Sequence, residues 1–257
     1  MDSAALATRL LDLHRDPELL TVVNVWDAIS AKVVTETPGT VALATASHSI
    51  AATLGYPDGE VIPLDEMLAM VARIIEATDL PVSADLEGGY GDAAETIRRA
   101  IGIGVVGANI EDQMKPVAEA AQQVADMMAA AQAEGVPDFV LNARTDTFLR
   151  RGDRSDDEVL ADAMERGRAY LDAGAPVVFV PGPLTESQVE ALVSELGPQR
   201  LTLIGLPGTP PLARLAELGV ARVSYGPMSQ RVALTALQDM VTTIHEGGAV
   251  PPFRPLN

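Results

Sequence analysis

Short apolar runs rich in β-branched residues alternate along this chain with longer stretches in which apolar positions recur every three to four residues. The short runs predict eight strands: Thr21–Val25, Thr40–Thr45, Pro81–Leu86, Val105–Glu111, Phe139–Thr145, Pro176–Val180, Arg200–Ile204 and Arg222–Tyr225. The periodic stretches predict helices over Asp65–Ala77, Ala93–Ile101, Val117–Ala133, Asp156–Asp172, Glu186–Leu196, Leu212–Leu218 and Met228–His245. Ser155 with Glu158, and Thr185 with Gln188, have the spacing of capping boxes, which satisfy free amides at a helix start. Gly135, Gly174, Gly197 and Gly219 follow helices, where a left-handed residue closes the last turn. Eight strand–helix units in 257 residues predict an α/β chain folded as one (β/α)8 TIM barrel over residues 1–257. A doubly wound open sheet is the runner-up. It is disfavoured because Trp26-Asp27-Ala28, and no glycine-rich turn, follows the first strand.

The segment 228–257 stands apart from the repeat. Its helix carries apolar residues at Val232, Leu234, Leu237, Met240, Val241 and Ile244, a stripe wider than one barrel flank needs. The tail Pro251-Pro252-Phe253-Arg254-Pro255 cannot continue it. This segment is expected in a subunit interface.

Composition narrows the chemistry. With 47% hydrophobic residues the chain can bury a large core, and with no cysteine it can form no disulfide, thiolate metal site or cysteine nucleophile. Its three histidines are scattered. A net charge of −18 repels phosphate backbones and anionic lipid, so neither nucleic acid nor a membrane is an expected partner. The expected ligand is a small anionic substrate held on a local positive island. No apolar run is long enough to span a bilayer, and Met1-Asp2-Ser3 does not open a secretory signal, so a cytoplasmic setting is expected.

Two acidic strings end apolar runs: Asp85-Leu86-Glu87 and Asn109-Ile110-Glu111-Asp112. Strand residues i and i+2 share a face, so Asp85 and Glu87 point to one side. Carboxylates gathered there repel one another unless a cation sits among them. Oxygen ligands without histidine or cysteine suit a hard ion such as Mg²⁺, with Mn²⁺ able to replace it. Functional groups of barrels collect at the C-terminal strand ends. Trp26, Asn142 and Arg144 stand there, together with Ser47 and His48 and the loop carrying Asp58. Arg144 is the one arginine at such an end in the first five units, and its planar fork suits a carboxylate or phosphonate.

Five strings, in order over about residues 20–182, carry a resemblance: Asn24-Val25-Trp26-Asp27-Ala28, Leu54-Gly55-Tyr56-Pro57-Asp58-Gly59-Glu60, Asp85-Leu86-Glu87-Gly88-Gly89-Tyr90-Gly91, Asn109-Ile110-Glu111-Asp112 and Asn142-Ala143-Arg144-Thr145-Asp146. Together they resemble the isocitrate lyase / phosphoenolpyruvate mutase superfamily. The resemblance implies a (β/α)8 barrel that often exchanges its last helix between partners, hence a homodimer or homotetramer. It also implies a Mg²⁺ that chelates a 2-oxo acid, with an enolate-like intermediate. The metal-site acids fall on Asp58, Asp85, Glu87 and Glu111, some in direct contact and others through water. Ala46-Ser47-His48 matches the stretch whose backbone amides hold the substrate carboxylate, and Arg144 matches the arginine on the anionic end. Trp26 is expected in the cavity wall, Asn142 in contact with substrate, and Asp58, Arg144 and His48 in catalysis.

The departures from the superfamily matter equally. Its carbon–carbon lyases carry a Lys-Lys-Cys-Gly-His loop after the fourth strand, where this chain reads Asp112-Gln113-Met114-Lys115-Pro116-Val117. Isocitrate-type cleavage by that route is not expected. The sixth strand ends in Val180-Pro181-Gly182-Pro183, which offers no side-chain donor for a phosphonate. The expected function is Mg²⁺-dependent carbon–carbon cleavage of a small 2-oxo acid or related dicarboxylate. Carbon–phosphorus chemistry of the mutase or phosphonopyruvate hydrolase type is the alternative, and a non-catalytic metabolite-binding homologue the third.

Overall fold

The first strand is broken, and the break closes the barrel. In this computed structural model, which describes residues 2–254, Leu20–Val22 (β1) and Asn24–Val25 (β2) pair with different neighbours on either side of Val23. The other strands are Leu43–Thr45 (β3), Val82–Asp85 (β4), Gly107–Glu111 (β5), Val140–Arg144 (β6), Val177–Phe179 (β7), Leu201–Ile204 (β8) and Arg222–Ser224 (β9). Their order is β1-β9-β8-β7-β6-β5-β4-β3-β2, every pair parallel. The two ends of that order are one residue apart in the chain, so nine segments form eight staves of a closed (β/α)8 barrel.

Ten helices stand among the described residues. They are Ser3–Arg15 (α1), Ala28–Thr35 (α2), Ser47–Thr53 (α3), Leu64–Glu76 (α4), Ala93–Gly102 (α5), Val117–Ala133 (α6), Asp156–Asp172 (α7), Glu186–Leu196 (α8), Leu212–Leu218 (α9) and Met228–His245 (α10). None is long and apolar enough to cross a membrane. On α4, buried Met67, Leu68, Val71 and Ile74 recur at helical spacing against the sheet, each contributing about 1.5–3 kcal/mol by leaving water. Both predicted capping boxes form, at Ser155 and at Thr185.

Several predicted bounds shift for local reasons. The fourth predicted strand starts at Gly107 and not Val105, because the Val105 amide is used by the Ala100 carbonyl to close α5. The second starts at Leu43, because Thr40 turns back onto α2, its amide on Thr37 and its hydroxyl on Val34. Helices α1, α2 and α3 were not predicted. Of the tail, Pro251–Arg254 is exposed and non-helical; Met1 and Pro255–Asn257 lie outside the described residues.

Barrels are usually filled with branched aliphatic side chains. This interior is polar, with Asn24, Thr45, Ser83, Asn109, Asn142 and Thr202 all buried on strands. Thr202 donates to Asn142 Oδ1 at 2.6 Å although β6 and β8 are not neighbours, so the bond crosses the lumen. Arg222 reaches across from β9 to Ser83 Oγ at 3.3 Å. Its Nε and Nη2 have no hydrogen-bond partner among the described residues, and burial pushes its pKa down to about 10 against the opposing pull of Asp85. Helix α1 plugs the opposite end. A side chain at Gly107 would meet Leu10 Cδ2 and the Val140 carbonyl, both at 2.9 Å, so only glycine admits the plug. His14 on that helix is fully buried. Burial, then the nearby Arg222, hold its pKa near 3, so it is neutral.

Candidate active site

A cavity of about 320 Å³ opens at the C-terminal ends of the strands. Its polar arc comes from β2 to β6 and their loops, through Asn24, Ser47, His48, Asp58, Asp85, Asn109 and Arg144. Its apolar arc comes from β7 to β9 and the loops that follow, through Phe179, Pro181, Ile204, Leu206 and Met228.

Asp85 ends β4 and points into the cavity. Its Oδ2 accepts from the Ser47 amide at 3.1 Å and the Ser47 hydroxyl at 2.8 Å, and Thr45 Oγ1 accepts from its amide at 2.9 Å. Asp58 faces His48, with Oδ2 at 3.4 Å from Nδ1, and both are well exposed. Arg144 ends β6. Its Nη2 lies 2.9 Å from Glu111 Oε2 and its Nε 2.8 Å from Asp146 Oδ1, while Nη1 makes no hydrogen bond among the described residues. Asp146 is in turn fixed by its amide on Asp112 Oδ1 at 3.1 Å. Asp112 also takes Arg166, Tyr170 and the Met114 amide.

Glu87 sits behind this front row, only 5% exposed, with a left-handed backbone at φ 53°. Its Oε2 accepts from the Glu60 amide, and its Oε1 has no partner among the described residues. Burial, and then Asp85, Asp58 and Glu111, push its pKa up to about 7, against the Glu60 amide. Glu111 is also pushed up to about 7; burial outweighs the Arg144 charge, and Asp146 and Asp85 add to it. Five of the six non-glycine residues with positive φ among the described residues lie around these acids: Glu60, Glu87, Tyr90, Gln113 and Met114. Such backbone costs about 1–3 kcal/mol per residue and persists where neighbouring structure enforces it. Here Glu60 Oε1 accepts from the Tyr90 amide at 2.7 Å and Gln113 reaches Glu60 Oε2 at 3.5 Å, so three loops interlock.

The donor set fits a hard cation held largely through water. Two buried oxygens in the cluster, Glu87 Oε1 and Tyr90 Oη, lack partners among the described residues. Burial first, and then neighbouring carboxylates, raise Glu87 and Glu111, and a divalent ion relieves both costs. Among the described residues, no three acidic, histidine or cysteine side chains are spaced to enclose an ion by themselves. Mg²⁺ commonly keeps several waters and takes few protein ligands.

The remaining predicted residues fall differently. Trp26 packs half-buried on the core and does not line the cavity. Ala46 is buried, and its amide donates to the Val25 carbonyl at 3.2 Å, so that amide is committed to the barrel. Asn142 is fully buried and its amide group is used by Asn109 and Thr202; it steadies Asn109, which does line the cavity. Arg231 on α10 also lines the cavity, outside the predicted set, in the first turn after a strand end. Arg222 is likewise outside that set; its signal in the sequence is a charged residue inside the apolar run Val220-Ala221-Arg222-Val223.

Comparison with known proteins agrees with this geometry. A family model described as phosphoenolpyruvate phosphomutase matches residues 10–245. The 2,3-dimethylmalate lyase of Eubacterium barkeri is 28% identical, covering 93% of this chain and 86% of its own. A solved structure from Burkholderia cenocepacia J2315, provisionally named a phosphonomutase, is 39% identical with a TM-score of 0.86, covering 96% of this chain and 100% of its own. An oxaloacetate acetylhydrolase solved with its product oxalate is 26% identical with a TM-score of 0.84, covering 96% of this chain and 89% of its own.

Proposed function

The chain belongs to the phosphoenolpyruvate phosphomutase family, and we propose that it is a divalent-cation-dependent lyase that breaks a carbon–carbon bond in a small 2-oxo or 2-hydroxy dicarboxylate. The observation that carries this reading is the convergence of Asp58, Asp85, His48 and Arg144 on one cavity, backed by the buried carboxyls of Glu87 and Glu111, whose pKa values burial pushes up. Asp85, with Asp58, Glu87 and Glu111 acting through water, would hold Mg²⁺ or Mn²⁺. Such an ion draws electron density from a substrate's carbonyl and carboxylate and eases departure of the neighbouring carbon. The protein's own groups orient and move protons. Arg144, locked by Glu111 and Asp146, presents Nη1 to the substrate's anionic end without having to reorganise. His48, with Nδ1 towards Asp58, keeps Nε2 for the proton of a 2-hydroxyl.

Two relatives are named for dicarboxylate substrates, 2,3-dimethylmalate and oxaloacetate, which supports carbon–carbon chemistry. The relative provisionally named a phosphonomutase favours the second reading, carbon–phosphorus rearrangement or hydrolysis. The test is to incubate the protein with Mg²⁺ and, separately, oxaloacetate, 2,3-dimethylmalate and phosphonopyruvate, following products by NMR. Chelator-sensitive cleavage of either dicarboxylate supports the first reading. Turnover of phosphonopyruvate alone replaces it with the second, and binding without turnover of any makes the protein a metabolite-binding homologue.

The same reading includes assembly as a homodimer or homotetramer through α10. Leu234, Leu237, Val241 and Ile244 are 41–55% exposed and follow the three-four-three spacing of a helix–helix seam. The first turn of α10 is anchored on this barrel by Ser229 and Gln230.

A further inference from the structure

Three polar side chains inside the barrel form a hydrogen-bonded chain with a direction. Thr202 on β8 donates to Asn142 Oδ1 at 2.6 Å, and Asn142 Nδ2 on β6 donates to Asn109 Oδ1 on β5 at 2.7 Å. The direction is set at the far end. A hydroxyl carries one proton, and the other acceptor near Thr202, the Val178 carbonyl, lies at 3.3 Å. Turning both amides over would leave that proton only the longer bond. With Thr202 donating, Asn142 presents Nδ2 to Asn109, and Asn109 receives it on Oδ1. The Nδ2 of Asn109 is left over. It makes no hydrogen bond among the described residues, and it is not sealed off from the cavity that Asn109 lines.

The register places this donor on the cavity floor. Asp85 pairs with Asn109, and Asn109 with Asn142, so the three stand in one row across β4, β5 and β6. Glu111 and Arg144 pair in the row two residues nearer the mouth, roughly 6.5 Å higher at the rise of a strand. Residues i and i+2 share a face, so Asn109 points to the side that Glu111 points to. A ligand held between Asp85 and Arg144 therefore has Asn109 beneath it. The residue type suits the place. A further carboxylate beside Asp85 and Glu111 would repel an anion, whereas an amide whose oxygen is already taken offers an anion only its N–H.

We propose that Asn109 is a substrate-binding residue whose Nδ2 donates to an anionic oxygen at the deep end of the bound substrate, and that Thr202 is a positioning residue that fixes this donor through Asn142. This rests on the reading of the cavity as a site for a small anion beside a divalent cation, and adds to it a contact on the floor and the device that orients it. Asn109, Asn142 and Thr202 are all buried and bonded to one another before any ligand arrives, so the donor is aimed without reorganisation.

The experiment is calorimetric titration of oxalate in Mg²⁺, with Mg²⁺ alone as the companion titration, on wild type, Asn109→Ala, Thr202→Val and Thr202→Ser. Oxalate is a small rigid anion whose every oxygen accepts. Asn109→Ala is expected to weaken oxalate by about ten- to hundredfold, the range of a hydrogen bond to a charged group, and to leave the affinity for Mg²⁺ alone unchanged. Thr202→Val keeps the shape of the side chain but has no proton to give, so the two amides can turn over and show the ligand an oxygen; oxalate is expected to weaken by about threefold or more. Thr202→Ser loses a methyl and keeps the hydroxyl, so it is expected to lower Tm while recovering the affinity for oxalate. Wild-type oxalate affinity in Asn109→Ala overturns the contact, and an equal loss of affinity for Mg²⁺ alone assigns Asn109 to the cation's surroundings and overturns it too. Wild-type affinity in Thr202→Val, or a loss in Thr202→Ser as large as in Thr202→Val, overturns the positioning role. If wild type binds no oxalate in Mg²⁺, the reading of the cavity fails and this inference with it; if wild type binds oxalate and only the variants disagree, the reading of the cavity stands and this inference alone falls.

Discussion

Replacing Asp112 by asparagine tests how the site is braced. Asp112 is 5% exposed and accepts four hydrogen bonds. Oδ1 takes the amides of Met114 at 2.9 Å and Asp146 at 3.1 Å; Oδ2 takes Arg166 Nη1 at 3.1 Å and Tyr170 Oη at 2.7 Å. Asparagine has the same shape, so no space opens for water, and the neighbouring void is only about 10 Å³. If its oxygen keeps the two amides, its NH₂ faces the Arg166 guanidinium, a donor against a donor. Arg166 is itself nearly buried and retains Asp162 at 2.8 Å and the Lys115 carbonyl at 2.8 Å. Breaking a buried pair costs about 3–5 kcal/mol, and the remaining Asp162 contact places the loss at about 3 kcal/mol. For a chain of this size that lowers Tm by about 6–12 °C. Thermal unfolding followed by circular dichroism measures it, with Asp162→Asn as a more exposed comparison expected to lose less. Because the Asp146 amide rests on Asp112 and Asp146 fixes Arg144, kcat/KM should fall as well. A Tm within about 2 °C of wild type would refute the reasoning, since setting a donor against a nearly buried guanidinium that has lost one of its two carboxylates cannot be that cheap.

Three further outcomes are expected. Glu87 and Glu111 have folded-state pKa values raised to about 7, so the folded protein holds protons there that the unfolded chain has lost; metal-free stability should fall as pH rises from about 4.5 through 7, and Mg²⁺ should raise Tm more at pH 8 than at pH 5. A Tm indifferent to Mg²⁺ at pH 8 would remove the cation from this cluster. Arg144→Lys should lower kcat/KM by about 30- to 1000-fold, because a point charge cannot hold Glu111 and Asp146 while reaching substrate; kinetics unchanged within twofold would take Arg144 out of the site. Leu237→Arg with Val241→Arg should reduce the mass measured by light scattering to that of one chain, and a wild-type mass that is already monomeric would sink the assembly through α10.

What the sequence revealed and what it withheld divide along the range of the interactions. The strands were legible because buried parallel strands are short β-branched runs, and the long helices because one face of each meets the sheet at regular spacing. Helix α1 carries that spacing too, in Ala7, Leu10, Leu11 and His14, but it precedes the strand–helix repeat and packs on the barrel's end rather than its side. Helix α3 is seven residues long and rests on contacts from far away: Asp85 at its first amide and Gln230 on Ser49 and Thr53. No local propensity encodes these.

The site follows the same division. Asp85, Asp58, His48 and Arg144 could be placed from the rule that barrels work at their C-terminal strand ends, and all four line one cavity. What that rule does not supply is which atoms are already taken. Asn142 stands at a strand end, yet its amide is consumed inside the lumen by Asn109 and by Thr202 from two staves away. The Ala46 amide is consumed by the Val25 carbonyl across the β2–β3 pair. Arg231 is the converse case, an arginine on a helix whose sequence marks only an apolar stripe. It stands at the cavity because Asn24, Ser49 and Thr53 tie down the first turn of α10, and it makes no ion pair among the described residues. A residue's local pattern tells which face it occupies; only the accounting of partners across the fold tells whether its charge is spent.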